Sequence, residues 1–121
     1  MKITAFNPLI VVKDAESATK LFEELGFEYR HTKEGINGNI TNYDMKDANG
    51  FRVDVAQADD LPQALTAIRM NVDDFDEAFK FLSERGFKNA QGDRITETAT
   101  SKDTLMVSPS GFGISICQHL K

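Results

Sequence analysis

The chain repeats itself at an offset of 60 residues. Val12-Lys13-Asp14 returns as Val72-Asp73-Asp74, and Leu25-Gly26-Phe27 returns as Arg85-Gly86-Phe87. Between residues 12 and 27, seven of sixteen positions are identical at this offset: Val12/Val72, Asp14/Asp74, Ala18/Ala78, Lys20/Lys80, Glu24/Glu84, Gly26/Gly86 and Phe27/Phe87. Average residue usage would produce about one such match. The likeness returns at an offset of 61, where Asn49-Gly50-Phe51-Arg52-Val53-Asp54-Val55 faces Ser110-Gly111-Phe112-Gly113-Ile114-Ser115-Ile116. Shared turn and cap residues would explain single matches, but not the repetition of element order. Two copies are too few for a solenoid, so the sequence points to one domain (residues 1–121) of two paired modules. These are residues 1–57 and 64–121, joined by a polar linker at 58–63.

Each copy reads as strand, helix, then further strands. Phe6 to Val12 is an apolar strand, and Asp14 is placed to cap a helix carrying Ala18, Leu21, Phe22 and Leu25 at helical spacing. Gly26 stops it. Strands are expected at Glu28 to Thr32, Gly38 to Met45 and Phe51 to Ala56, with a turn at Asp47-Ala48-Asn49-Gly50. Lys33 to Asn39, with two glycines and two asparagines, reads as a hairpin loop. In the second copy Leu65 to Val72 is a strand, and Asp74 to Glu77 is a capping box. Ala78, Phe81 and Leu82 form the expected buried stripe, and Gly86 ends the helix. Strands at Asn89 to Gln91, Arg94 to Thr100, Thr104 to Val107 and Gly113 to Gln118 follow.

Composition narrows the class. A chain of 121 residues with 40% hydrophobic content can bury a core of Phe, Ile, Val and Leu without disulfides or a structural metal. Fourteen Lys and Arg against nineteen Asp and Glu give a net charge of −5, which argues against nucleic acid as a partner. The single cysteine, Cys117, forms no internal disulfide and suits a reducing compartment. The N-terminus lacks the pattern of a signal peptide, and the aliphatic run Leu9 to Val12 is too short to span a membrane. A cytoplasmic protein that neither enters nor contacts a membrane is expected.

A valine and Asp before each helix, Gly-Phe after it, and a glycine turn before the last strand, all twice over, resemble the vicinal oxygen chelate superfamily, which includes glyoxalase, bleomycin resistance protein and extradiol dioxygenase. The resemblance implies an α+β fold. Two βαβββ modules would form a curved, mostly antiparallel sheet around a cleft, usually within a homodimer. Metal-dependent members place His, Gln or Glu on the first and last strand of each module. The resemblance carries those positions to Asn7, Asp54, Ala67 and Ser115. Alanine has no donor atom, serine and asparagine are poor ligands for a divalent transition metal, and one carboxylate alone holds such an ion weakly. The resemblance therefore implies a member without metal or other cofactor.

Strand parity then describes the cleft. Ile68, Met70 and Val72 alternate with Ala67, Arg69 and Asn71; Val53 and Val55 with Arg52, Asp54 and Ala56; Phe112, Ile114 and Ile116 with Gly113, Ser115 and Cys117. The apolar sets should pack on the helices. The other face would carry Asn7, Arg52, Asp54, Arg69, Asn71, Ser115 and Cys117, with His119 near the end of the last strand and Tyr43 as an aromatic wall. Such a lining suits a polar small molecule. Arg52 and Arg69 can grip an anionic group or pair with Asp54. His31 is expected in solvent, and Cys117 as a small packed thiol.

Three functions fit these residues. The first is a metal-independent protein that binds a small molecule, drug or metabolite. The second is a lyase, isomerase or dioxygenase that is metal-dependent or uses Asp54 as acid or base. The third is a non-catalytic regulatory or interaction domain.

Overall fold

The computed structural model describes residues 1–36, 40–59 and 65–120. The chain divides into two compact units, Asn7–Thr66, and Ala67–Lys121 together with Met1–Phe6. Both are α+β. The first holds β1 (Ile3–Val12, whose N-terminal end groups with the other unit), α1 (Ala15–Glu24), β2 (Glu28–Ile36), β3 (Ile40–Lys46) and β4 (Arg52–Ala58). Its strands run β2-β3-β4-β1, with β1 parallel to β4 and the other pairs antiparallel. The second holds β5 (Leu65–Val72, whose first two residues group with the other unit), α2 (Phe75–Ser83), β6 (Lys88–Asn89), β7 (Thr96–Glu97), β8 (Ser101–Val107) and β9 (Gly113–His119). There β5 is parallel to β9, β9 antiparallel to β8, and β6 and β7 both pair with β8.

The repeat is written into the hydrogen bonds. Asp14 caps α1 by accepting from Glu16 N, and Asp74 caps α2 by accepting from Glu77 N. The first amide of each helix donates to a glutamine on the last strand: Ala15 N to Gln57 Oε1 at 3.2 Å and Phe75 N to Gln118 Oε1 at 2.8 Å. Each helix ends alike, with Phe27 N donating to Phe22 O and Phe87 N to Leu82 O. Gly26 and Gly86 adopt φ of 107° and 92° there, a region that favours glycine. The last turn repeats too. Asp47 N donates to Phe51 O and Ser108 N to Phe112 O, with Gly50 and Gly111 donating back to residues 47 and 108.

Those glutamines identify the covered face of each sheet. Gln57 shares parity with Val53 and Val55, and Gln118 with Ile114 and Ile116. In the first unit Met45, Val53 and Val55 are buried on that face, and α1 packs against β4. In the second, Met70, Val72, Phe75, Ala78, Leu82, Met106 and Ile116 form the core, with Phe79, Phe87 and Ile114 packed around it. Lys102 ties β8 to α2. Its ammonium reaches Asp76 at 2.9 Å and lies 5.1 Å above the Phe75 ring. The hydrogen bond to Asp76, more than any other cause, holds Lys102 above its ordinary value of 10.5.

The structure departs from the sequence expectations in identifiable ways. Phe81 is exposed rather than buried. The Arg85 guanidinium covers its ring at 3.5 Å and donates to its carbonyl. Leu21 and Leu25 are also exposed, and α1 buries Ala15 and Thr19 instead. The expected strand Arg94 to Thr100 shrinks to Thr96–Glu97. The Thr98 hydroxyl accepts from Thr100 N and Ser101 N, and Thr98 N donates to Ser101 O, which bends the chain into a turn. β8 consequently begins at Ser101. β2 runs on to Ile36, so only residues 37–39 of the expected hairpin loop lie outside the described residues. Of the expected linker, Ala58 ends β4 and Asp59 lies in a turn, while residues 60–63 lie outside the described residues.

Four substitutions test this account of stability. Asp74→Ala should cost about 1 kcal/mol in urea unfolding. Gly26→Ala should cost about 1–2 kcal/mol for its backbone conformation. Gly86→Ala should cost more, because its added Cβ would stand 2.8 Å from Pro109 Cγ whereas nothing lies within 4 Å of the same point on Gly26. The Lys102–Asp76 pair stabilises fully below pH 10.5 and is lost as pH rises through the elevated value. Asp76→Asn should therefore flatten the alkaline limb of the stability–pH curve.

Candidate functional site

The face turned away from α1 is polar. Leu9, Asp54, Asp44 and His31 stand side by side across β1, β4, β3 and β2. The row beside it holds Arg52, Lys46 and Glu28, and the row on its other side Ala56, Asn42 and Lys33. Register partners point to the same face, so two carboxylates, Asp44 and Asp54, sit directly opposite each other. Both are buried, at 8% and 7% exposure. Like charges so placed destabilise a sheet unless each finds donors.

They find different ones. Asp54 Oδ2 accepts from Asn7 Nδ2 at 2.9 Å, and Oδ1 from Asn42 Nδ2 at 3.2 Å. Asn7 Nδ2 also donates to Pro8 O at 3.0 Å. A carbonyl can only accept, so this second bond fixes the amide with its N–H groups toward Asp54. Asp44 Oδ2 instead takes Arg52 Nη2 at 3.1 Å, with His31 Nε2 at 3.5 Å. Arg52 thus pairs with Asp44. His31 is in solvent for most of its surface but stands beside that carboxylate.

The unit of residues 67–121 presents a second group on the face turned away from α2. Arg69 lies opposite Ser115, Asn71 opposite Cys117, and Ala67 opposite Gly113. Leu105 and Asp103 continue those rows onto β8. Ala67, Ser115 and Cys117 are buried. Asn71 Nδ2 lies 3.4 Å from His119 Nε2, while Asn71 Oδ1 is enclosed with no hydrogen-bond partner among the described residues. His119 belongs to β9 and pairs with Ser101.

The candidate residues therefore fall into two groups: Asn7, Arg52 and Asp54 in the first unit, and Arg69, Asn71, Ser115 and Cys117 in the second. Tyr43 is on neither polar face. It lies opposite Val55, on the side facing α1, with its ring edge-on to Tyr29 at 5.9 Å. Asn42 and Asp44 belong to the first group although no sequence motif marks them, and His31, expected in solvent, stands beside Asp44 while mostly exposed. The parity of β3 held the clue, since Asn42 and Asp44 alternate with Tyr43.

The donor set does not fit the metal of the superfamily's metal-dependent members. Ala67 supplies no donor, Ser115 only a hydroxyl, and Asn7 turns its amide protons, not its oxygen, toward Asp54. Both Asp54 oxygens already accept amide protons. Among the described residues no three His, Cys, Asp or Glu side chains come together as a cation site. Asn7→Asp should place a third carboxylate at this corner. It should destabilise the fold at pH 7, and the loss should shrink at pH 4 as the added carboxyl protonates; urea unfolding at both values checks this.

No family model matches the sequence, and neither does any curated protein. Solved structures do match. A methylmalonyl-CoA epimerase aligns at TM-score 0.68 and 21% identity, covering 95% of this chain and 94% of its own. The epimerase from Mycobacterium tuberculosis aligns at TM-score 0.72 and 14% identity, covering 96% and 88%. A glyoxalase/bleomycin resistance protein/dioxygenase superfamily member from Vibrio splendidus aligns at 0.62 and 17%, covering 97% and 99%. With a strand, a helix and further strands in each unit, and the first strand of each unit parallel to its last, the chain has the fold of the vicinal oxygen chelate superfamily.

Proposed function

We propose that the protein binds a small polar molecule, drug or metabolite, without a metal, and that it does so in the cytoplasm as a homodimer. The observation that carries this reading is the state of Asp54. Two asparagine amides occupy the carboxylate that the superfamily resemblance assigns to a metal. Asn7 is held in that role by Pro8 O. The hydrogen bonds satisfy the group in place and leave it no need of a cation. Around it Arg52 and Asp44 provide one directional donor and one acceptor, the kind of sparse polar equipment that orients a bound molecule. Arg69, Asn71 and Ser115 supply a comparable set in the other unit. The enclosed Asn71 Oδ1 asks for a donor that a ligand can bring. Capture, with no bond made or broken, is the mechanism these groups support. No helix among the described residues is long and apolar enough to cross a membrane.

Dialysis against zinc, manganese, nickel and cobalt followed by elemental analysis tests the metal-free reading. Substoichiometric metal is expected, and one tightly held ion per chain would overturn it. Thermal-shift screening with polar metabolites and drugs tests the binding reading. A ligand at a hundred times its Kd should stabilise the fold by about 2.7 kcal/mol. Arg52→Ala or Asn71→Ala should weaken that ligand about tenfold or more. Light scattering in solution checks the dimer.

A further inference from the structure

The two copies of the repeat treat one corner in opposite ways. In the second unit the turn between β8 and β9 lays Pro109 over the end of α2, within 2.8 Å of the point where a Cβ on Gly86 would stand. In the first unit nothing lies within 4 Å of the matching point on Gly26. A depression of about 190 Å³ opens at that corner, lined by Gly26, Glu28, Arg30, Lys46, Asp47 and Ala48. Pairing fixes the equivalence, since Glu28 lies opposite Lys46 just as Lys88 lies opposite Val107. The repeat offsets then equate Arg30 with Ala90, Lys46 with Val107, and Ala48 with Pro109. One copy closes the corner with alanine, valine and proline. The other keeps it open and supplies two cations.

Those cations are not committed elsewhere. Among the described residues neither Arg30 nor Lys46 makes an ion pair. Arg30 sits in a bulge, at the register shift between Tyr29 and His31, and bulges re-aim side chains. Of the two acids in the lining, Asp47 is engaged, with Oδ1 accepting from Asn49 N and Phe51 N. Those bonds satisfy its lone pairs and leave its charge, so Asp47 and Glu28 together repel a second negative charge and limit the occupant to one anionic group.

We propose that this depression is an anion subsite that takes a carboxylate or phosphate group of a small molecule. Arg30 supplies a forked donor and Lys46 a point charge. The subsite does not depend on Asp54 being metal-free, so the two readings fail separately.

The test is an NMR titration of the isotope-labelled full chain with acetate and with inorganic phosphate, at constant ionic strength, with chloride as the reference anion. Saturable shifts at the Gly26, Arg30 and Ala48 amides with acetate or phosphate, and none with chloride, are expected; which anion saturates identifies the group. Arg30→Ala should weaken the effect about tenfold. Ala48→Pro, which copies the closed corner of the other unit, should do the same. Linear shifts, shifts that chloride reproduces, or saturation unchanged in Arg30→Ala would overturn the proposal. Arg30 is exposed on an edge strand, so its variant decides the matter even where Ala48→Pro unfolds the turn.

Discussion

A glutamine on the last strand of each unit, whose side-chain oxygen accepts from the first amide of the helix, sets up everything else in that unit. The amides at the start of a helix have no partner within it. Asp14 and Asp74 satisfy one each, and Gln57 and Gln118 satisfy another from across the sheet. Each bond contributes only about 1 kcal/mol. Its larger consequence is positional. It ties the helix to one face of the last strand, which then carries Val55 or Ile116 into the core. Alternation leaves Asp54 or Ser115 on the other face. A shift of one residue in that strand would exchange the two sets.

The repeat, the order of elements, and the assignment of apolar and polar faces on three strands were legible in the sequence. They rest on periodicity and on residues with strong local preferences, such as Asp at the caps and Gly26 and Gly86 at the stops. What was not legible depends on partners distant in sequence. Phe81 follows the helical period of the core, but Arg85, one turn on, covers it at the surface. Thr96 to Thr100 has strand composition, yet the Thr98 hydroxyl competes for the backbone and makes a turn. Tyr43 looked like a wall for a ligand because an aromatic on a strand is conspicuous. Its place opposite Val55 follows only from the register of β3 against β4. The same register brings Asn42 and Asp44 beside Asp54, a cluster that no local motif announces.

Within that cluster the identity of each donor matters more than the count. Asp44 and Asp54 occupy neighbouring positions with similar burial, yet one is matched by a guanidinium and the other by amides. A guanidinium neutralises charge, whereas an amide proton satisfies lone pairs and leaves the charge in place. Asn7 cannot reverse its role without stranding the Pro8 carbonyl. The corner therefore holds its shape by directional hydrogen bonding.

Duplication makes such exchanges readable, because each unit is a control for the other. Where both copies keep a feature, as with the capping Asp, the Gln to the helix amide and the glycine stop, the backbone requires it. Where they differ on the same backbone, folding does not dictate the choice. Gly26 and Gly86 share a conformation, but Pro109 fills the space over one and Arg30 and Lys46 line an opening beside the other. The other unit carries Val107 and Ala90 at the equivalent positions, so it forms its corner without cations there. Arg30 and Lys46, neither in an ion pair among the described residues, stand around an open depression, which is what the proposed anion subsite needs.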